Sequence, residues 1–374
     1  MSAIVSERMT VPFVDFKRRY ALCRDEILKA VDAVFLSGTY ILGEAVEQLE
    51  EQLSQYLDCP YVVAVANGTD SIILSLKVLQ IGPDDEVIVP VNSFIASAGA
   101  VVAVGAKPVF CDVARDLNID VSQIEKHITK KTKAIMPVHL TGRPANMPAI
   151  MDIAKKYSLH VIEDAAQSIG AKINGKMTGT IGDFGSFSLH PLKNLHAYGD
   201  GGIITTHSKE HYHQLKILRN HGLINRDMCQ TWGFNSRLDS MQAKIVSVGL
   251  RYLNNWNLQR QKNAAFYQTH LKDLVIVPYD AAGIHSVYHN FVILTKKRDA
   301  LADFLKKNNI DTRIHYPVPL HLQPAANSLG YKKGDYPVAE QLASEMLSLP
   351  IYPELTAEQI NYIVFQIKEF FNGN

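Results

Sequence analysis

The chain has almost no net charge, few cysteines and no apolar stretch long enough to cross a bilayer, and each shortage removes a class of function. Lys and Arg number 38 against 37 Asp and Glu, a formal charge of +1. The broad basic field that draws a protein onto nucleic acid is therefore missing. The four cysteines, Cys23, Cys59, Cys111 and Cys229, are scattered without CxxC spacing. That pattern points to reduced thiols in a cytoplasmic protein and away from a zinc site. The longest apolar run, Phe94–Ala106, is broken by glycine and falls short of the ~20 residues a spanning helix needs. Between Met1 and Asp15, Glu7 and Arg8 stand where a signal peptide would carry its apolar core. A strand-linked GxGxxG is also absent. The segment Gly179–Gly185 has the wrong spacing and no helix after it, which counts against a nicotinamide enzyme.

What is present is a chain of 374 residues, 47% hydrophobic, a length that predicts two domains with a core each. Apolar runs at Tyr61–Ala66, Glu86–Pro90, Pro108–Asp112, Lys133–Leu140, Leu159–Ile162, Ser186–Leu189 and Ile203–Thr206 alternate with helical segments. Short β-rich runs joined by helices predict an α/β fold with right-handed crossovers and a mostly parallel seven-stranded sheet. The last two runs leave no room for a full helix between them, so one is expected to be antiparallel. Residues 1 to about 30 read as an arm and a first helix. The glycine-bounded loop Ser37–Gly43 and a helix over Glu44–Tyr56 follow. In Met147–Tyr157, Ile150, Ile153, Ala154 and Tyr157 share one helical face, with Pro148 near the start where it does no harm. The helical run from Ser240 to about Leu271 is long enough to leave one domain for another, giving domains at 1–250 and 251–374. The second reads as α+β, with a strand at Tyr288–Thr295, a helix at Arg298–Lys307, a loop from Arg313 to Pro324 and a helix from Pro337. Thr356-Ala357-Glu358-Gln359 is a capping-box pattern that opens the last helix.

Ligands of open α/β sheets bind beyond the carboxyl ends of the strands, so the polar residues after each run are the candidates. Asn67-Gly68-Thr69-Asp70 is either a plain N-cap turn or a phosphate nest at a helix N-terminus. Asp164, in Glu163-Asp164-Ala165-Ala166-Gln167, leaves a buried run and must be paired, as a structural carboxylate or against a cationic heterocycle. Phe94, after Asn92-Ser93, is core or a stacking plate. Lys193 sits between two buried strands, beyond Pro191 and before Gly199-Asp200-Gly201-Gly202. A lysine there is a surface side chain or a desolvated nucleophile. Together these four suit pyridoxal phosphate, which needs a Schiff-base lysine, an acid against its ring nitrogen and anchors for its phosphate.

Ordered motifs over nearly the whole length carry a resemblance. They are Ser37–Gly43, Asn67–Asp70, Glu163–Gln167, Ser186-Phe187-Ser188 with Lys193, Arg219-Asn220-His221-Gly222, Gly233-Phe234-Asn235-Ser236-Arg237, and His315-Tyr316-Pro317-Val318-Pro319-Leu320-His321. With these the chain resembles the DegT/DnrJ/EryC1/StrS nucleotide-sugar aminotransferases, within the fold type I, aspartate-aminotransferase-like pyridoxal phosphate enzymes. The resemblance implies a large cofactor-binding domain followed by a smaller α+β one. It makes Lys193 the covalent anchor and proton carrier, and Asp164 the partner of the ring nitrogen. It assigns Gln167 to the ring hydroxyl, Phe94 to the ring face, and Gly68, Thr69 and Ser188 to the phosphate. Asn235 would reach the phosphate of a neighbouring subunit, so the resemblance implies a homodimer with shared sites. Arg237, Tyr40, His315 and Tyr316 would meet substrate.

The implied reaction has two halves. L-Glutamate converts the cofactor to pyridoxamine phosphate, and the amine then passes to a keto-sugar linked to a nucleoside diphosphate. The loop His315–His321 resembles one of members that act on 3-keto hexoses; 4-keto enzymes share most of the other motifs. The product would be an amino sugar for a surface polysaccharide or a glycoside. Three rivals stand beside this reading. Sugar dehydratases of the same family replace the lysine with histidine, whereas Lys193 is present here. A non-catalytic regulatory protein would be favoured by a preceding DNA-binding segment, and residues 1–30 show none. A lyase acting on amino acids alone would make no amino-sugar nucleotide. His190, beside the lysine, departs from the commonest residues and is assigned no role.

Overall fold

The structure, a computed structural model, describes residues 9–373; the Glu7–Arg8 pair lies outside them. Two helices lead in, α1 (Phe16–Ser37) and α2 (Glu44–Leu57). Gly38 ends α1 at φ 66°, with its N–H on the carbonyl of Phe35, a left-handed position where glycine is least strained. Strands and helices then alternate: β1 (Tyr61–Val65), α3 (Gly68–Val78), β2 (Glu86–Pro90), α4 (Ile95–Ala103), β3 (Lys107–Cys111), β4 (Thr132–Ile135) and β5 (His160–Asp164). A small hairpin, β6 (Lys172–Ile173) and β7 (Lys176–Met177), precedes β8 (Phe184–Ser188) and β9 (Gly202–Thr206).

Seven strands form one sheet in the order β1-β9-β8-β5-β4-β2-β3. Only β9 runs against its neighbours, β1 and β8, as the short connection before it predicts. The other pairs are parallel, which sets the carboxyl ends of β1, β2, β4, β5 and β8 along one edge. The register makes that edge specific. Val65 and Ser188 both lie opposite Gly202, from either side, and Asp164 lies opposite Ser186. The ends of β1 and β8 thus meet around one glycine, with the end of β5 on the other side of β8.

Three boundaries differ from the sequence patterning. The run Lys133–Leu140 is a strand only to Ile135, because Pro137 cannot donate to a central ladder. The run Leu159–Ile162 extends instead to Asp164, whose N–H donates to the carbonyl of Pro137 at 2.9 Å while its carbonyl accepts from His139 at 3.0 Å. Asp164 therefore ends the strand rather than following it. In the C-terminal part, β10 (Ile284–His285) pairs with β6, and the expected strand Tyr288–Thr295 shortens to β11 (Phe291–Leu294). Its partner β12 (Met346–Leu349), directly after the helix Pro337–Glu345, is fully buried and shows no apolar–polar alternation to betray it.

The helix Ser240–Leu271 is continuous over 32 residues and serves two cores. Ala243, Val246 and Leu253 pack with Val62, Ala64 and Leu189 against the large sheet. Ala264, Tyr267 and Leu271 pack with Phe291, Leu347 and Ile363. The division expected between residues 250 and 251 falls inside this helix. Val11 pairs with Ile310 and joins the second cluster, so the arm closes on the C-terminal core. The last helix, Ala357–Asn372, carries both halves of the capping box.

Under β1, Glu50 and Arg219 form a buried ion pair. Arg219 also donates to the carbonyl of Ala64 at 2.7 Å, and Glu50 accepts the Ala64 N–H at 2.9 Å. Removing one member of such a pair strands the other charge away from water, at a typical cost of ~3–5 kcal/mol. Glu50→Ala is expected to lower the unfolding free energy by about that much in a urea titration. A loss below ~1 kcal/mol, the size of an exposed pair, would mean that water reaches the site.

Candidate active site

The first feature on the strand edge is a cradle of free N–H groups. Asn67 caps α3 by accepting the Asp70 N–H at 2.8 Å. The N–H groups of Gly68 and Thr69 find no acceptor among the described residues, and at a helix N-terminus such groups favour an anion. Gly68 and Gly202 permit this arrangement. A Cβ on Gly68 would lie 2.8 Å from Cβ of Ser188, and one on Gly202 would lie 2.3 Å from the carbonyl oxygen of Asn67. The Ser188 side chain reaches the same spot and accepts the His190 N–H at 3.2 Å.

The second feature is a carboxylate with arranged partners. Asp164 is buried at the end of β5. Its Oδ2 accepts from Ser97 Oγ at 2.7 Å, and Oδ1 accepts from the N–H of Ala166 at 3.2 Å. Ser97 is in turn joined to Ser93 Oγ at 2.7 Å. Adjacent residues of a strand face opposite sides, and the neighbouring Glu163 does different work. It accepts the N–H groups of Gly179, Ile181 and Gly182 at 2.7–2.8 Å and meets His139 Nε2 at 2.9 Å. That is where the N–H groups of the glycine-rich segment 179–185 go; they hold a loop, not a nucleotide.

Around Asp164 stand the groups that would frame a flat ring. Gln167 accepts the Thr141 N–H at 2.7 Å, which fixes its amide orientation, and its Nε2 faces the Tyr316 hydroxyl at 3.4 Å. Phe94 precedes α4 and is 54% exposed, so it is not core; its ring centroid lies 5.9 Å from that of Tyr316. Burial and the nearby Asp164 push the Tyr316 phenol well above its ordinary range, which keeps it a neutral donor.

Lys193 completes the centre. Its loop is pinned on both sides: the Lys193 N–H bonds the His190 carbonyl at 2.8 Å, and the Ala197 N–H bonds that of Leu189 at 2.7 Å. Asn194, next to it, is buried and donates to Asn257 Oδ1 at 2.8 Å and to the Val287 carbonyl at 3.1 Å. The lysine keeps a little contact with solvent, yet desolvation outweighs the opposing pull of Asp164 and lowers its pKa to about 8. His315 shares the pocket. Its Nδ1 lies 2.9 Å from Ser348 Oγ, and burial, with Lys193 and Arg313 nearby, lowers its pKa to about 4.

Gly68, Thr69, Phe94, Asp164, Gln167, Ser188, Lys193, His315 and Tyr316 therefore lie along one rim. Tyr40, Asn235 and Arg237 make no hydrogen bond to the Lys193–Asp164 centre among the described residues, although Ser236, between the last two, accepts the Ala66 N–H at 3.2 Å beside the cradle. Tyr40 is exposed on the loop after α1, and its carbonyl accepts the Ser240 N–H at 3.0 Å. Asn235 is exposed on a ribbon where it pairs with Asn220, whose side chain accepts from Arg237 at 3.0 Å. Sequence reasoning missed Ser97, Thr141 and Asn194. Of these, only Asn194 carried a signal, a polar residue between the lysine and the apolar Leu195.

The N–H cradle, the carboxylate, the aromatic face and the amine together suit a ligand that joins a phosphate, a basic ring nitrogen and an aldehyde in one rigid molecule, as pyridoxal phosphate does. The fold is that of a pyridoxal-phosphate-dependent aminotransferase of fold type I. Residues 22–368 match the model of the DegT/DnrJ/EryC1/StrS aminotransferase family, and the chain belongs to that family. Two curated relatives match along almost their whole length. A protein of Geobacillus stearothermophilus named pleiotropic regulatory protein is 45% identical, over 97% of this chain and 99% of the relative. The UDP-N-acetyl-3-dehydro-alpha-D-glucosamine 3-aminotransferase of Acidithiobacillus ferrooxidans is 43% identical, over 99% of this chain and 100% of the relative. Among solved structures, S. venezuelae DesV in complex with a ketimine intermediate superposes with a TM-score of 0.95 at 40% identity, covering 96% of this chain and 98% of that one. Solved relatives include pyridoxal and pyridoxamine phosphate forms.

The lowered pKa of Lys193 has a kinetic signature. Only the neutral amine attacks an aldehyde, so the rate at which the cofactor-free protein takes up pyridoxal phosphate should rise with pH to a plateau, with its midpoint near 8. A midpoint near the ordinary lysine value of ~10.4, followed by absorbance, would mean the amine is solvated in the working protein.

Proposed function

We propose that the protein moves the amino group of L-glutamate onto the keto carbon of a hexose linked to a nucleoside diphosphate, with C3 as the position aminated. It would do so as a homodimer in the cytoplasm, supplying an amino sugar for a surface polysaccharide or a glycoside. The observation that carries the reading is the desolvated amine of Lys193 acting under the charge of Asp164. Support for position 3 comes from the names of relatives, which include 3-amino-sugar transaminases of the dTDP series and the UDP-linked enzyme of Acidithiobacillus. All four cysteines are unpaired, in keeping with a reducing compartment. No helix among the described residues is long and apolar enough to cross a membrane.

When bound, pyridoxal phosphate supplies an aldehyde that accepts the amine and a cationic ring that draws electrons from the carbon losing its proton. The chain supplies the rest. Asp164, its oxygens oriented by Ser97 and Ala166, would hold the ring nitrogen protonated. Thr141 occupies the carbonyl of Gln167, so the amide Nε2, which also faces Tyr316, would supply an N–H to the ring hydroxyl. Gly68, Thr69 and Ser188 would hold the phosphate, and Phe94 would cover a ring face and keep water off it. Lys193, its pKa lowered to about 8, would be the group that holds the transferred proton at Nζ. His315 stays uncharged at working pH and contacts the sugar as a neutral group, beside Tyr316.

Tyr40, Asn235 and Arg237 find their use in a second copy. The ribbon bearing Asn235 also exposes Ile224, Met228, Trp232 and Phe234, and Trp232 is 93% exposed. An apolar surface of this kind is suited to a partner of the same chain. Asn235 of the partner subunit would then close the phosphate site, with Arg237 and Tyr40 beside the nucleotide sugar. A second reading, a regulatory protein, rests on the name of the Geobacillus relative; a retained Lys193 with a lowered pKa favours catalysis.

Glutamate with a panel of UDP- and dTDP-linked 3-keto and 4-keto hexoses tests the assignment. Amination of a 3-keto member is expected; turnover of 4-keto members alone would move the position, and none at all would remove the function. Asp164→Asn is expected to lower the rate by at least ~100-fold, since a neutral ring withdraws few electrons; a variant within twofold of wild type would deny Asp164 that role. Lys193→Ala and Asn235→Ala chains, inactive alone, should regain activity when mixed, because one site of the hybrid dimer is complete. Failure to regain any would count against shared sites.

A further inference from the structure

Beside the lysine loop lies a small, partly open cavity between the N-terminal arm, the long helix and the C-terminal part, bordered by Phe13, Leu192, Arg260, His289, Asn290 and His315. Three of those residues carry a buried nitrogen with no hydrogen-bond partner: Arg260 Nε, Asn290 Nδ2 and His289 Nδ1. Arg260 and Asn290 are 3% and 4% exposed. Buried polar atoms are nearly always paired, and three orphans around one cavity mark a place built for something else to fill.

Arg260 is the most telling of the three. Its Nη1 donates to the carbonyls of Tyr288 and His289 at 3.1 and 3.3 Å, and no carboxylate lies within ion-pair distance of it among the described residues. Glu354, whose charge reaches it, is held by both oxygens on Arg19, at 2.9 and 3.3 Å. Burial and Arg19 lower the pKa of Arg260 to about 9, so the guanidinium is a cation in want of an anion. His289 is kept neutral by burial and by the surrounding positive charges of Lys193 and Arg260, so it adds a dipole and no second charge. The cavity measures about 30 Å³. One water needs about 10–15 Å³, so the space suits the two oxygens of a carboxylate and is far too small for a hexose or a nucleotide.

We propose that Arg260, Asn290 and His289 form the subsite for a carboxylate of the amino donor. Leu192 borders the cavity and is followed directly by Lys193, whose charge is felt by both His289 and His315. An amino acid seated here by one carboxylate presents its amine towards the lysine. The subsite deepens the aminotransferase reading and rests on it.

The test uses the cofactor-loaded protein and three variants, Asn290→Ala, Asn290→Asp and Arg260→Lys. Asn290→Ala is included because Arg260 also ties down two backbone carbonyls, and Arg260→Lys can lose stability for that reason alone. Conversion of the cofactor by glutamate is followed by absorbance as a function of glutamate concentration. Glutarate, an unreactive dicarboxylate, is titrated calorimetrically, and binding of UDP and dTDP serves as the control. In Asn290→Asp and Arg260→Lys, glutamate half-saturation should rise about tenfold or more, with glutarate weakened in parallel and the saturating rate little changed. Asn290→Ala should show the same in smaller measure, and nucleotide binding should stay within twofold. An equal loss with alanine as donor places the α-carboxylate in the cavity; a loss confined to glutamate places the distal one. Folded variants that bind glutamate and glutarate within twofold of wild type overturn the proposal. Wild-type protein whose cofactor no amino acid converts would overturn the aminotransferase reading instead, and glutarate binding that depends on Asn290 would still uphold the carboxylate subsite.

Discussion

A carboxylate set at the buried end of the middle strand is the constraint to which the rest of this molecule conforms. Asp164 is buried, so its oxygens must find donors in the protein. Ser97 and the N–H of Ala166 supply them. Those donors exist only because α4 begins just beyond β2 and because the chain turns back immediately after β5. Parallel strands deliver several chain ends to one edge, and the register decides which residues meet there. Asp164 opposite Ser186, and Gly202 opposite both Val65 and Ser188, bring the carboxylate, the N–H cradle and the lysine loop together without long-range coincidence.

The single reversed strand matters as much as the parallel ones. A helix between β8 and β9 would have carried the chain across the sheet and left no tight loop on the ligand edge. The direct return places Lys193 on a short segment pinned at both ends, with Asn194 as an internal peg. Held there, the amine is largely stripped of water, and that desolvation is the physical origin of its lowered pKa. The binding of cofactor and the tuning of the amine are thus two outcomes of one topological choice.

Much of this could be read before any coordinates. Asn67-Gly68-Thr69, Asp164 and Lys193 each follow a recognisable apolar run, so their positions on the strand edge follow from the alternation alone. The helix Arg298–Lys307, the last helix with its capping box and the reversed strand were legible for the same local reasons. Other features depend on pairing between distant segments, which leaves no local mark. Ser97 looks like any serine of an apolar helix until β5 lies beside it. Met346–Leu349 becomes a strand only against Phe291–Leu294, and Pro137 shortened a run whose composition promised eight residues. Arg260 sits in an unbroken helical pattern, and nothing in its neighbours reveals that it is buried without an acid. Asn235, Arg237 and Tyr40 were singled out by resemblance, and a single chain gives them no partner at the centre.

The long helix has a mechanical meaning as well. At ~1.5 Å per residue, 32 residues make a rod of roughly 48 Å, rooted at one end under the large sheet and at the other among the C-terminal strands. Such a strut cannot shorten or fold in half without breaking its own backbone bonds. Loosening of the C-terminal core by heat or denaturant is therefore transmitted to the floor of the sheet, and the two cores should melt as a single cooperative block.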